Sequence, residues 1–137
     1  MNDIALTRTL TEQAIKKMLD AAIAAAQGAG TPVGVAIVDS SCRLRAWFLM
    51  DGATPLVCDV VPKKARSAVF LRMPSGADEL PAELFSAFSA ASSEFTSLKG
   101  GLPIFSEGQL VGAIAAGGGS HEYDEKIARA GLDSLSL

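Results

Sequence analysis

Lys64, Arg66, His121 and Asp51 are the side chains of this sequence best suited to chemistry, and Gly117-Gly118-Gly119-Ser120 is the backbone best suited to it. Lys64 could act as an anion-binding cation or, if desolvated, as an amine able to form a Schiff base. The plainer reading is a surface lysine beside Lys63. Arg66 stands two residues further on, about 200° around a helix from Lys64, so only one of the two can face a given pocket. The other is left to a surface or interface ion pair. A glycine run just before a helix offers free N–H groups to a carboxylate or phosphate, although it is neither a dinucleotide-binding fingerprint nor a P-loop. Gly117, Gly118 and Gly119 are therefore ligand-binding candidates. Glu122, Asp124 and Glu125 crowd the first turns of that helix, where they oppose an anion and stabilise the helix dipole. His121, the single histidine, opens the helix as a candidate general base or nitrogen ligand. Met50 and Asp51 lie at a strand end beside Gly52 and are pocket candidates. The alternatives for them are core packing and a turn carboxylate.

Composition limits the classes of function. At 137 residues the chain fits one domain, 1–137, with a core of its own. Its hydrophobic fraction of 49% is high for so small a fold, which predicts a homo-oligomer, a dimer or larger, that covers part of the apolar surface. The net charge of −3 and the lack of a basic stripe argue against nucleic-acid partners. The longest apolar run, Leu110–Ala116, is too short to span a bilayer, and the polar first ten residues carry no apolar signal core. The expected location is cytoplasmic, with no membrane partner. Cys42 and Cys58 form no C-x-x-C pair and read as free thiols. With one histidine there is no metal-ligand set. Cys58 near a helix start is a weaker nucleophile candidate.

The elements that must position these groups follow from periodicity. Thr9 or Thr11 caps a first helix, and Thr9 with Glu12 has capping-box spacing. Ile15, Met18, Leu19, Ala22, Ile23 and Ala26 line one face, and Gly28 and Gly30 end the helix. Val33–Asp39 and Arg43–Met50 read as a hairpin. Trp47 and Phe48 alternate in its second strand, so one faces the core and the other a pocket or subunit contact. Pro62 interrupts the next helical pattern, which predicts a short turn over 55–59 and a main helix from Val61. A short helix follows over Pro81–Ala90. A second hairpin pairs Leu102–Phe105 with Gln109–Ala116 about Glu107-Gly108. Ser120 or Gly119 then caps a last helix reaching Asp133. Ser93–Leu98 could hide a fifth strand. Tight turns make the hairpins antiparallel, and the class is α+β. Val33–Val38 and Leu110–Ala116 are too apolar for sheet edges.

Several segments, in order, resemble one family: Val35-Ala36-Ile37-Val38-Asp39, Met50-Asp51-Gly52-Ala53, Lys64-Ala65-Arg66-Ser67-Ala68, Gly100-Gly101-Leu102-Pro103-Ile104, and Gly108–Ile114 with the glycine cluster and Asp124-Glu125. The set is similar to the GlcG/HbpS-like family, often labelled haem-degrading, which includes the C-terminal domain of PduO-type cobalamin adenosyltransferases. The likeness covers roughly Leu10 to Leu132. It implies a five-stranded antiparallel sheet with flanking helices, profilin-like in outline, in dimers or higher oligomers. Some members bind haem or a corrinoid. The chain departs from the pattern at Cys42, where the family's hairpin turn carries glycine, at Ala115-Ala116-Gly117-Gly118-Gly119 in place of Gly-x-Ser-Gly, and at Pro62.

Three functions compete on this basis. The first is a small-molecule-binding accessory protein linked to a catabolic pathway; the cofactor is unknown, with haem or a corrinoid the candidates. The second is a cofactor-independent tautomerase, isomerase or hydratase of a small keto or enol acid, with Lys64 or Arg66 holding the carboxylate and His121, Asp51 or Glu122 moving a proton. The third is an oligomeric scaffold without a ligand. Any pocket is expected between the Lys64 helix and Gly117–His121, where a carboxylate could bridge the two while Glu122 and Asp124 point away.

Overall fold

The computed structural model describes residues 2–137. Helix α1 (Glu12–Ala29) starts where the Thr11 hydroxyl accepts the Ala14 N–H at 3.1 Å. It ends at Gly30, which takes the left-handed conformation and donates its N–H to Ala26 O. Thr9 is not the cap; its hydroxyl accepts the Ser40 N–H instead and ties the entering chain to the first hairpin.

That hairpin is β1 (Gly34–Asp39) and β2 (Leu44–Leu49), and the second is β3 (Gly101–Ser106) and β4 (Gln109–Gly117). The sheet order is β2-β1-β4-β3, antiparallel throughout. The two apolar strands, β1 and β4, are central, and every residue of β1 is buried. The sheet has four strands rather than the expected five. Ser93–Leu98 stays irregular because hydroxyls satisfy its backbone locally: Ser92 Oγ accepts from Glu94 N, Ser67 Oγ from Thr96 N and Thr96 Oγ1 from Leu98 N. No ladder partner is needed. Cys42, in the turn between β1 and β2, takes a left-handed conformation with φ 63°.

Helix α2 (Val57–Leu71) begins four residues earlier than the sequence predicts and contains Pro62. Its lead-in uses bonds of three-residue span, Val57 N to Thr54 O, Cys58 N to Pro55 O and Asp59 N to Leu56 O. The bond Pro62 cannot make would have gone to Cys58, an exposed residue whose carbonyl can turn to water. Helix α3 (Ala82–Ala91) buries none of its residues, and α4 (His121–Asp133) is capped by Ser120, whose hydroxyl accepts the Tyr123 N–H at 3.1 Å.

Strand alternation sorts the core into two layers. Val35, Ile37, Ile104, Ile114 and Ala116 face α1 and α4, meeting Met18, Ala22, Ala26, Ile127 and Ala128. Ala36, Val38, Ala113 and Ala115 face α2, meeting Val57, Val61, Ala65 and Ala68. Alanine on both surfaces lets α2 lie close to the sheet, so side chains from α2 can reach the strand ends. Trp47 joins the α2 layer, whereas Phe48 is 44% exposed. No helix among the described residues is long and apolar enough to cross a membrane.

Candidate functional site

A cleft of about 210 Å³ opens where the ends of α2 and β4 meet the start of α4. Leu56, Val57, Val60 and Leu98 supply its apolar lining, and Thr54, Gly117, Gly118, Gly119 and His121 complete it. Lys64 and Asp124 also line it. Of the candidates from sequence, Lys64, the three glycines and His121 are thus brought together.

Lys64 is not on the surface; it is 4% exposed. Its ammonium donates to Ala116 O at 3.0 Å and to Asp124 Oδ2 at 3.1 Å. Asp124, 2% exposed, accepts the Gly119 N–H on its other oxygen at 2.9 Å. The carboxylate bridging the lysine and the glycine run is therefore the chain's own. Asp124 turns inward, contrary to the expectation that it points away, because it lies three and four residues before buried Ile127 and Ala128 and shares their face. That spacing was the available signal for it; an acidic residue in a first helical turn reads more readily as a dipole partner.

Two further glycines seat the lysine. A Cβ on Gly100, at φ 131°, would lie 2.5 Å from Ala116 O and 2.8 Å from Lys64 Nζ, and one on Gly101 would strike the Lys64 carbonyl. The Gly101 N–H is held by buried Ser75 Oγ at 2.9 Å. The Gly100-Gly101 pair is thus fixed by the packing of Lys64, which residue type alone does not reveal.

Arg66, Met50 and Asp51 lie elsewhere. Arg66 turns to the other side of α2, pairing with Glu94 at 2.7 Å and donating to Cys42 O at 3.3 Å, as the angular separation from Lys64 requires. The Met50 sulfur accepts the Val33 N–H at 3.5 Å, and its side chain packs on the α1/α4 layer. Asp51 is exposed in the turn after β2. His121 is exposed at the cleft rim.

A second buried carboxylate lies away from the cleft. Burial alone would raise the Asp39 pKa, but the N–H groups of Arg43 and Ser41 at 3.0 Å and the Arg43 guanidinium at 2.9 Å bring it below the usual carboxylate value. In the same turn, burial pushes the Cys42 thiol up against the opposing pull of Arg66. No group of three metal-ligating side chains occurs among the described residues.

Fold and cleft together define a small α+β protein with helices on both faces of an antiparallel sheet and an apolar recess at one sheet end. Residues 10–133 match the family model for haem degrading protein HbpS-like, and the chain belongs to that family. An uncharacterised 15.0 kDa protein from the dhaT–dhaS intergenic region of Citrobacter freundii is 31% identical, with 99% of each chain covered. Protein GlcG of Escherichia coli is also 31% identical, over 77% of this chain and 78% of its own. Corrinoid adenosyltransferase PduO of Citrobacter freundii is 26% identical over 94% of this chain, which spans only 40% of that protein. Among solved structures, protein ORFY of Klebsiella pneumoniae superposes with a TM-score of 0.88 at 27% identity, covering 98% of this chain and 95% of that one. PduOC in complex with haem superposes with a TM-score of 0.86 at 26% identity, covering 93% and 95%.

Proposed function

We propose that this chain is a small-molecule-binding accessory protein whose ligand is a tetrapyrrole, haem or a corrinoid, seated at the cleft between α2 and the Gly117–His121 segment. The observation that carries this reading is an apolar recess with the chain's single histidine on its rim. Its likeness to the haem-complexed PduOC chain, and to the corrinoid adenosyltransferases, supports the choice of ligand class. The residues present fit such a group. The exposed imidazole of His121 can offer a ring nitrogen to a metal centre, and leucine and valine side chains suit a flat hydrocarbon macrocycle.

Bound haem would supply an iron centre able to take a nitrogen donor, which His121 would provide. The chain's own residues would do three things. Leu56, Val57, Val60 and Leu98 exclude water from one face of the ligand, the Lys64–Asp124 pair holds the glycine segment in place, and His121 presents its ring from the helix start. A cleft of about 210 Å³ lies below the roughly 300–1,000 Å³ of pockets that enclose drug-sized ligands. One chain would cover a macrocycle only in part, so a second copy completing the site belongs to the same proposal; Leu56, 64% exposed, supports it. A role beside a catabolic pathway also belongs to it, supported by the relative from the dhaT–dhaS intergenic region.

The test is a titration of the purified protein with haem and, separately, with hydroxocobalamin. A saturable shift of the haem Soret band or of the corrinoid visible bands is expected. For haem, His121→Ala should move the band position or weaken binding by about tenfold or more. No saturable spectral change with either ligand would sink the reading.

A further inference from the structure

We propose that the Lys64 end of the cleft accepts an uncharged oxygen, a carbonyl or hydroxyl carried on an apolar body, and turns carboxylates away. The proposal rests on the reading that this cleft binds a small molecule, and it specifies which end of the molecule enters. A buried ammonium beside a glycine run would ordinarily be the place for a ligand's carboxylate, and the sequence alone suggests that arrangement. Asp124 already fills the role. Its carboxylate neutralises Lys64 through Oδ2 and takes the Gly119 N–H through Oδ1.

A lysine ammonium has three donors. Two of those of Lys64 go to Ala116 O and Asp124 Oδ2. The third has no acceptor among the described residues, and because Lys64 lines the cleft a ligand there is the partner assigned to it. A neutral acceptor can take that hydrogen bond without losing much hydration. An incoming carboxylate would shed its water and settle beside the buried Asp124 charge, which disfavours its ionised form. The rest of the wall, Leu56, Val57, Val60 and Leu98, offers carbon. For a macrocycle bearing acidic arms, the unsubstituted edge enters at Lys64 and the acids stay in solvent.

Acetophenone and benzoate have nearly the same shape and differ in charge, so they make the test. Each is titrated into the protein at about pH 8 and followed by amide NMR shifts of Gly117 to His121. Acetophenone should bind at least about fivefold more tightly than benzoate, and in Asp124→Asn the ratio should move toward benzoate by about tenfold. Benzoate binding as tightly as acetophenone to the native protein overturns the proposal. So does failure of both probes to bind, or an unchanged ratio in folded Asp124→Asn. If Asp124→Asn does not fold, the native ratio decides. Failure of haem and corrinoid in their own titration removes the tetrapyrrole reading and leaves the acetophenone result standing.

Discussion

The two faces of the sheet are built on different rules. Toward α1 and α4 the strands present the bulky Val35, Ile37, Ile104 and Ile114, which meet Met18, Ile127 and the alanines of both helices. Toward α2 the strand residues are smaller, Ala36, Val38, Ala113 and Ala115, and they meet Val57, Val61, Ala65 and Ala68. Close approach there leaves little volume to fill, but it brings the α2 side chains to the strand ends, where Lys64 meets Asp124. One face contributes mainly hydrophobic burial. The other contributes a position, with a charged pair fixed at one side of a cleft. A site built this way is sensitive to loss of a partner and to added bulk, whereas the packed face is sensitive to loss of volume.

The contrast can be broken most severely at Lys64. Lys64→Ala would leave Asp124 buried without its counter-charge and should cost about 3–5 kcal/mol in urea unfolding. The pair Lys64→Met with Asp124→Leu should recover most of that loss, because it removes both charges together. If Lys64→Ala costs under about 0.5 kcal/mol, as exposed positions do, the buried pair is misassigned. Next come the layers themselves. Ile114→Ala on the α1/α4 face should cost about 2–5 kcal/mol through cavity formation. Ala115→Val, its neighbour on the α2 face, should cost about 1–3 kcal/mol through overpacking. Ala115→Val costing under about 0.5 kcal/mol would contradict the close approach of α2. The smallest effect is at the hairpin. The lowered pKa of Asp39 means that its contribution is complete above the unfolded value of about 3.9 and is lost as pH falls through the folded value. The urea midpoint should therefore be steady from about pH 7 to 5 and fall below about pH 4, with a shallower acid-side fall in Asp39→Asn.

Much of this arrangement was legible in the sequence where pattern and burial coincide. The runs Val33–Val38 and Leu110–Ala116 are too apolar for an edge, and they occupy the two central strands. Lys64, the glycine run and His121 could be placed at one end of the sheet because a strand ending in glycines feeds directly into a helix. Other features depended on tertiary partners that a linear pattern does not carry. Phe95 and Thr96 have strand propensity, yet hydroxyls at Ser67, Ser92 and Thr96 satisfy that segment, so no fifth strand forms. Pro62 argued for a later helix start, but the helix tolerates it beside the exposed Cys58. Helix rotation already set Arg66 apart from Lys64 in the sequence, and it pairs with Glu94, whereas the exposed turn that keeps Asp51 from the cleft was not legible from its residue type.

The Lys64–Asp124 pair also has a kinetic consequence. Its members are 60 residues apart and belong to helices on opposite faces of the sheet. They can meet only after both helical layers have docked and β4 has delivered its glycine end. A contact that needs both layers in place is expected to form after the transition state for folding, which a φ value near zero at Lys64 would show. Mutations at Lys64 should then leave the refolding rate nearly unchanged and appear in the unfolding limb of the chevron. The buried pair would act as a brake on opening rather than as a guide to assembly. The stretch around the cleft would be slow to come apart once closed, and the lifetime of the folded state would depend on a contact that contributed little to reaching it.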